Sequence, residues 1–367
     1  MVFFIIYIYH FFRLCAIINM VMHMSAEKLL EQYNEDELFY REYHSQSGDP
    51  DKIRILINGI GKEEIIRRGL LVKEVDDSFL TPYEMGDEIF GDNGKREILL
   101  SKHNRYTPEF LHSHSFFELI YVYSGSCTHT IADETFTMKV GSFCIVAPHV
   151  YHSIAVFDDS VVLNILIKGS SLENTYAALL KSENCISSFL LDGMYADEHA
   201  PYLFFRIPNE SSLRKMILDM YGEQMGQDEY SEEIIGGLMI SFLYRLVRKF
   251  GDSPEKIRNA AQNSDAARIY RYFVSSYNNA SLSELAKELG YAKTYCSSFI
   301  KSATGYSFSQ LLKQFRFRKA EELLKDTTLS VSYISEMIGY HDPENFIRAF
   351  QNEYGVSPTK YRKCSRS

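Results

Sequence analysis

The chain has 367 residues, 46% hydrophobic and 24% charged, which allows two or three separately cored domains and excludes a disordered protein. Its net charge of −9 is unevenly divided: from Asp265 onward 15 Lys and Arg stand against 10 Asp and Glu, a local +5 that leaves −14 for the rest. A uniformly acidic chain would argue against nucleic acid; a basic module at one end does not.

In chain order, residues 1–24 come first as an apolar extension, with Val2 to Met22 rich in Phe, Ile and Tyr and broken by His10 and Arg13. Three readings stand. A membrane anchor would bury Arg13 mid-span at roughly 2.5–3.5 kcal/mol; a cleaved signal peptide lacks its positive start and small-residue cleavage site. The preferred one is translated upstream sequence, with the start at Met20, Met22 or Met24. Residues 25–90 read as a helical, charged lead. Residues 91–170 are strand-rich: short runs such as Phe117 to Tyr123 and Ser142 to Val146 are β-branched and aromatic and bounded by Gly or Pro, the pattern of a small antiparallel barrel. Residues 171–251 are helical, with Leu213, Met216, Ile217, Met220 and Tyr221, then Ile234, Ile235, Leu238, Met239, Phe242, Leu243, Leu246 and Val247 at helical spacing. Their apolar faces pack on the barrel or pair a second subunit. Residues 252–264 are polar and read as a linker, and residues 265–367 form the basic end. The six cysteines, at 15, 127, 144, 185, 296 and 364, contain no C-x-x-C pair, so neither a zinc ribbon nor a disulfide framework is indicated and a reducing compartment fits.

The basic end contains an imperfect repeat. Ser281 to Tyr291 recurs as Ser330 to Tyr340 at an offset of 49, with Leu285, Ala286, Leu289, Gly290 and Tyr291 matched by Ile334, Ser335, Ile338, Gly339 and Tyr340. After one inserted residue, Cys296, Ile300 and Gly305 are matched by Phe346, Phe350 and Gly355. Each copy reads as a short capped helix, a glycine turn and a second helix. Between them Ser307 and Gln310 cap a further helix carrying Leu311, Leu312, Phe315, Ala320, Leu323 and Leu324. Some 17 residues span about 25 Å, suited to placing two recognition helices about one DNA turn, roughly 34 Å, apart.

This stretch resembles the AraC/XylS family of transcription regulators, above all from Gly339 to Phe350 and in Gly355-Val356-Ser357-Pro358 with Tyr361-Arg362, over about 100 residues. The resemblance implies that the first recognition helix presents Lys293, Thr294, Tyr295, Ser297 and Ser298, and the second Pro343, Glu344, Asn345 and Arg348. Arg348 suits guanine O6 and N7, Asn345 suits adenine, and the serines suit several bases. Lys301, Arg316, Lys360 and Arg362 are expected on phosphates, Arg316 alternatively on a carboxylate within the domain.

In the strand-rich block His112, His114 and Glu118, followed by Gly125, Gly141, Pro148 and His152, resemble the cupin signature. On a continuous strand the first three would share one face. Cupin enzymes hold a divalent metal with such a set, but His152 follows Pro148 without the expected internal glycine and no Asn follows four later. Sensor barrels of AraC type often bind a small organic effector, commonly a sugar, in the same pocket. Three readings remain for these residues: an effector site without metal, which is preferred, a metal site, and hydrogen-bonded histidines without a ligand.

The expectation is an α+β multidomain protein, a cupin-like β-barrel with helices followed by an all-α tandem helix-turn-helix domain. It is read as a sequence-specific, cytoplasmic transcription regulator, not an enzyme, with no cofactor. Its expected partners are double-stranded DNA, a small and possibly carbohydrate effector, a second copy in a homodimer, and RNA polymerase if it is an activator. The alternatives are a metal-dependent cupin enzyme with an accessory helical domain and a membrane-anchored regulator.

Overall fold

A computed structural model describes residues 26–91, 96–174, 176–196, 200–206, 211–226, 228–250, 256–257 and 265–365. The apolar extension and all of the linker except Lys256 and Ile257 lie outside the described residues. The chain divides into two compact units, one of residues 1–176, 184–186 and 200–260, the other of 177–183, 187–199 and 261–367.

The first unit opens with helices α1 (Ala26–Glu31), α2 (Glu35–Ser45), α3 (Pro50–Ile60) and α4 (Lys62–Arg68). Asn34 and Glu37 form a reciprocal capping box on α2, and Phe39, Tyr40, Tyr43, Ile53, Ile57, Ile65 and Phe79 form this lead's own core. Glu37 also reaches beyond its helix. Fully buried, it accepts from Arg105 Nε at 2.9 Å and Lys102 Nζ at 2.7 Å. Burial drives its carboxyl pKa up, but Arg105 and Lys102 outweigh that and hold it below the ordinary value. The lead is thereby tied to the strands by charge as well as by packing.

The strands are β1 (Tyr83–Met85), β2 (Ile98–Lys102), β3 (His112–His114), β4 (Phe117–Ser124), β5 (Ser126–Ile131), β6 (Glu134–Lys139), β7 (Ser142–Val146), β8 (His152–Ala155) and β9 (Val161–Ile167). After helix α5 (Gly169–Asn174) come α6 (Ala177–Leu180), α7 (Cys185–Tyr195), β10 (Tyr202–Arg206), α8 (Ser211–Gly226), α9 (Ser231–Phe250) and β11 (Lys256–Ile257). Rather than one closed barrel, the strands form two sheets, ordered β1-β3-β8-β5-β6 and β11-β10-β7-β4-β9-β2, a jelly roll of cupin type. Pairing is antiparallel except for β1 on β3, which is parallel. Ile120, Val122, Cys144 and Val162 of one sheet meet Cys127, Met138 and Ile154 of the other in a buried core. On the open edge of β2, Gln224 of α8 takes the place of a strand, accepting from Leu100 N at 2.7 Å and donating to Leu100 O.

The second unit holds α10 (Asp265–Ser276), α11 (Leu282–Leu289), α12 (Lys293–Thr304), α13 (Phe308–Asp326), α14 (Val331–Met337), α15 (Pro343–Tyr354) and α16 (Pro358–Ser365). Ser307 and Gln310 make the reciprocal capping box expected of them. Ser281 makes only its half of one: it accepts from Glu284 N, while the Glu284 carboxylate accepts from Tyr272 Oη at 3.4 Å. Helix α13 has 19 residues, about 28 Å, and supplies both modules with core. Its Leu311 and Phe315 are buried, as are Ile300 and Phe273 of the first module, and its Phe317, Ala320 and Leu324 pack with Ile334, Ile338, Phe346 and Phe350 of the second.

Residues between β9 and β10 also belong to this second unit. Arg271 of α10 donates to Leu180 O and Ser188 Oγ, both at 3.3 Å, Arg318 of α13 donates to Met194 O at 3.1 Å, and Tyr195 stacks obliquely on Phe315 at 4.3 Å.

Candidate functional site

Two groups of residues carry chemistry, one in each unit. In the helical unit the repeat shapes two modules in the same way. Leu285, Ala286 and Leu289 bury one face of α11, Gly290 closes it at φ 75°, and α12 follows with Cys296 and Ile300 buried. Its opposite face is exposed and carries Lys293, Thr294, Tyr295, Ser297, Ser298 and Lys301. In the second module Ile334 and Ser335 are buried on α14, and α15 buries Phe346 and Phe350 while exposing Glu344, Asn345 and Arg348, with Pro343 half-buried. Asp342 caps α15 by accepting from Glu344 N at 2.9 Å, and Pro343 at the first helical position has no N–H to leave unpaired.

The exposed faces of α12 and α15 differ. At α12 the ring of Tyr291, in the turn before the helix, gathers with those of Tyr295 and Phe299 at centroid distances of 4.9–6.1 Å, and Ser298 Oγ donates to Tyr295 O at 2.8 Å. On α15 Arg348 Nη2 donates to Asn345 Oδ1 at 2.8 Å, so these two long polar side chains already share a bond one turn apart. Lys360 is exposed. Arg316 and Arg362 are differently placed. Arg316 donates to the carbonyls of Tyr277 and Asn278, each at 3.0 Å, and Arg362 to those of Leu324 at 3.3 Å and Leu329 at 2.6 Å. The carboxylate partner entertained for Arg316 is thus replaced by main-chain oxygens. Arg316 acts beside Gly339, whose φ is 85° and where a Cβ would lie 2.0 Å from Asn278 O. A glycine at that turn is required by both backbone conformation and close approach.

In the sheet unit, His112, His114, Glu118 and His152 do come together, though not as a continuous strand would bring them. Strand β3 ends at His114, the chain crosses at Ser115 and Phe116, and β4 begins in the other sheet. His112 pairs with His152 on the neighbouring strand, and Glu118, with the parity of Ile120 and Val122, faces the space between the sheets. His152 Nε2 lies 2.8 Å from Glu118 Oε2 and His114 Nε2 3.4 Å from the same oxygen. All four side chains are buried. Burial raises the Glu118 pKa, but His114 and His152 outweigh it and hold the carboxyl well below its ordinary range. Burial, reinforced by His152, holds His112 well below the usual imidazole value.

Two more histidines join this region that the spacing did not reveal. His129 on β5 is fully buried with its ring 5.5 Å from that of His152, and burial lowers its pKa to about 3. His103 follows β2, and burial lowers its pKa to about 4. Nothing local marked either residue: Thr128-His129-Thr130 is polar throughout.

Among the described residues no helix is long and apolar enough to cross a membrane.

Comparison with known proteins agrees with both units. Residues 285–364 match the family described as a helix-turn-helix domain, and residues 99–238 the AraC-like ligand binding domain. The Msm operon regulatory protein of Streptococcus mutans is 26% identical over 134 residues, 36% of this chain and 48% of that protein, so the chain spans about half the length of that relative. The HTH-type transcriptional activator RhaR of an Enterobacter species is 22% identical over 256 residues, 70% of this chain and 87% of that one. The crystal structure of ToxT from Vibrio cholerae is 13% identical, covering 74% of this chain and 98% of that chain at a TM-score of 0.29, a loose likeness. The chain thus carries a domain of the AraC-like ligand binding family followed by a helix-turn-helix domain, the two domains of AraC-type transcriptional regulators.

Proposed function

We propose that the protein binds duplex DNA with α12 and α15 in two successive major grooves, under the control of a small molecule held by the histidine cluster of the sheet unit. The observation that carries this reading is the repeated module, in which each second helix buries one face and leaves the other polar and open. Lys293, Thr294, Tyr295, Ser297 and Ser298 in one groove, and Pro343, Glu344, Asn345 and Arg348 in the other, are the base-facing residues. Lys301 and Lys360 neutralise phosphates. Arg316 and Arg362, whose donors rest on carbonyls, hold the frame that spaces the two helices.

His112, His114, Glu118 and His152 hold the effector. A carbohydrate suits such a set, since imidazoles and a carboxylate can donate to and accept from hydroxyls. The protein acts in the cytoplasm as a homodimer joined through the outer face of α8 and α9, where Ile234 and Tyr244 are exposed. It contacts RNA polymerase as an activator, in keeping with a relative named as one. Effector binding favours one arrangement of the DNA-reading helices over another, so effector and DNA change each other's affinity by the same factor.

The test is binding of the full chain to promoter DNA over a salt series. Affinity is expected to fall with a log–log slope of several units, about 0.9 per neutralised phosphate. Binding that ignores salt, or none at any salt, would overturn the reading.

A further inference from the structure

We propose that Asn345 and Arg348 of α15 read DNA as one coupled unit, in which Asn345 holds Arg348 onto a guanine instead of reading an adenine by itself. The inference rests on the reading of α15 as a recognition helix and gives its half-site a chemistry.

The two side chains stand three residues apart and both are exposed, the spacing at which helical neighbours meet. Arg348 Nη2 lies 2.8 Å from Asn345 Oδ1. A guanidinium has five N–H donors and no acceptor, so the amide atom turned towards it must be the oxygen. What the carboxamide has left to offer a base is chiefly its NH2 group.

That assignment bears on which base each residue suits. Bidentate pairing of asparagine with adenine needs the oxygen to accept from N6 while the nitrogen donates to N7. Here Oδ1 already accepts from a cation, and such charge-assisted bonds are roughly twice as strong as neutral ones. A second lone pair does not rescue the pairing, since an N6 amino group brought to it would set another donor hydrogen beside the guanidinium's positive charge. The pair therefore presents donors. Arg348 still has both Nη1 hydrogens and the second on Nη2, enough for guanine O6 and N7, and Asn345 Nδ2 suits an adjacent acceptor, on guanine or thymine.

Holding the arginine also has an effect of its own. A long side chain loses freedom when it is fixed on a base, and one already tethered loses less. Asn345 is thus a positioning residue for Arg348. Helix α12 differs, because Ser298 Oγ spends its one hydrogen on Tyr295 O and shows the groove an acceptor. The two half-sites should accordingly differ in base composition.

The experiment is selection of binding sites from a randomised duplex pool by the full-length protein and by Arg348→Ala, Asn345→Ala, Asn345→Asp and the double alanine variant. Both side chains are exposed, so the variants are expected to keep the parent's Tm. The parent should select guanine at the position that Arg348→Ala relaxes. Asn345→Ala should loosen that same guanine preference at least about 5-fold, and the double variant should be no worse than Arg348→Ala. Asn345→Asp, which still accepts from Arg348, should keep the guanine and move the adjacent preference to a base with an amino donor, cytosine or adenine. Preferences in the half-site of α12 should not move. An adenine lost with Asn345→Ala while the guanine preference stands, or losses that simply add in the double variant, would overturn the coupling and leave the regulator reading in place. Binding with no sequence preference at all would overturn both.

Discussion

In each DNA-reading module the residues that shape the site are neighbours in sequence: cap, apolar stripe, glycine and recognition helix follow one another from Ser281 to Ile300 and again from Ser330 to Phe350. The histidine cluster is assembled the other way, with Glu118 and His152 34 residues apart and on different sheets. A module defined by local spacing tolerates rewriting of its exposed face, because its core lies on the opposite side. A cluster defined by sheet pairing sits inside the core, so function and stability share the same side chains. Substitutions should therefore separate stability from binding in one unit and not in the other.

The largest effect is expected from Phe346→Ala. The ring is fully buried among Phe317, Tyr340 and Phe350, and its loss should cost about 3–5 kcal/mol. In denaturant melts the second unit should unfold early while the first keeps its own transition. A single shared shift would mean that the two units do not unfold separately. Gly339→Ala should cost about 1–3 kcal/mol from the positive φ alone, and more from displacing Asn278. The readout is Tm together with DNA affinity, and an unchanged Tm would contradict the required close approach.

On the exposed side, Arg348→Ala should leave stability within about 0.5 kcal/mol of the parent and lose about 1–3 kcal/mol of discrimination at one base pair. Selection of binding sites from a randomised pool reads this, and an unaltered preference would remove Arg348 from the base-reading set. Acid should act on the sheet unit. His103 titrates near 6.5 unfolded and about 4 folded, so the unfolded chain binds more protons between those values and stability falls as pH drops from 6.5 towards 4. From pH 7 to 6 this amounts to about 0.5–1 kcal/mol, visible as a lower Tm that His103→Phe flattens. Least of all, Lys301→Ala should lower the salt slope by about 1 and weaken all sequences alike. A change of sequence preference would make it a base reader.

The same contrast governs what could be read from the sequence. Both modules, their glycines and the cap of the connecting helix were legible because each obeys a helical spacing of three or four residues. The four cluster residues were legible only by resemblance. The parity argument that joined His112 to Glu118 assumed one strand, where the chain turns at Ser115 and changes sheet. His103 and His129 went unnoticed because a lone buried histidine has no local signature. Glu37 was hidden for a similar reason: as the partner of Arg105 it depends on a contact 68 residues away. Arg316 and Arg362 carried the charge of phosphate ligands, and only the fold shows that their donors meet main-chain carbonyls.

The central claim is that one chain reads two grooves through two modules held by α13. It is tested most directly by measuring the affinity of the full chain for its site, then for the same site with about half a helical turn, some 5 base pairs, inserted between the two half-sites. Rotation of one half-site to the far side of the duplex should lower affinity to that of a single half-site, and insertion of a full turn should not restore it. Equal affinity for the parent and the half-turn spacing would contradict the account.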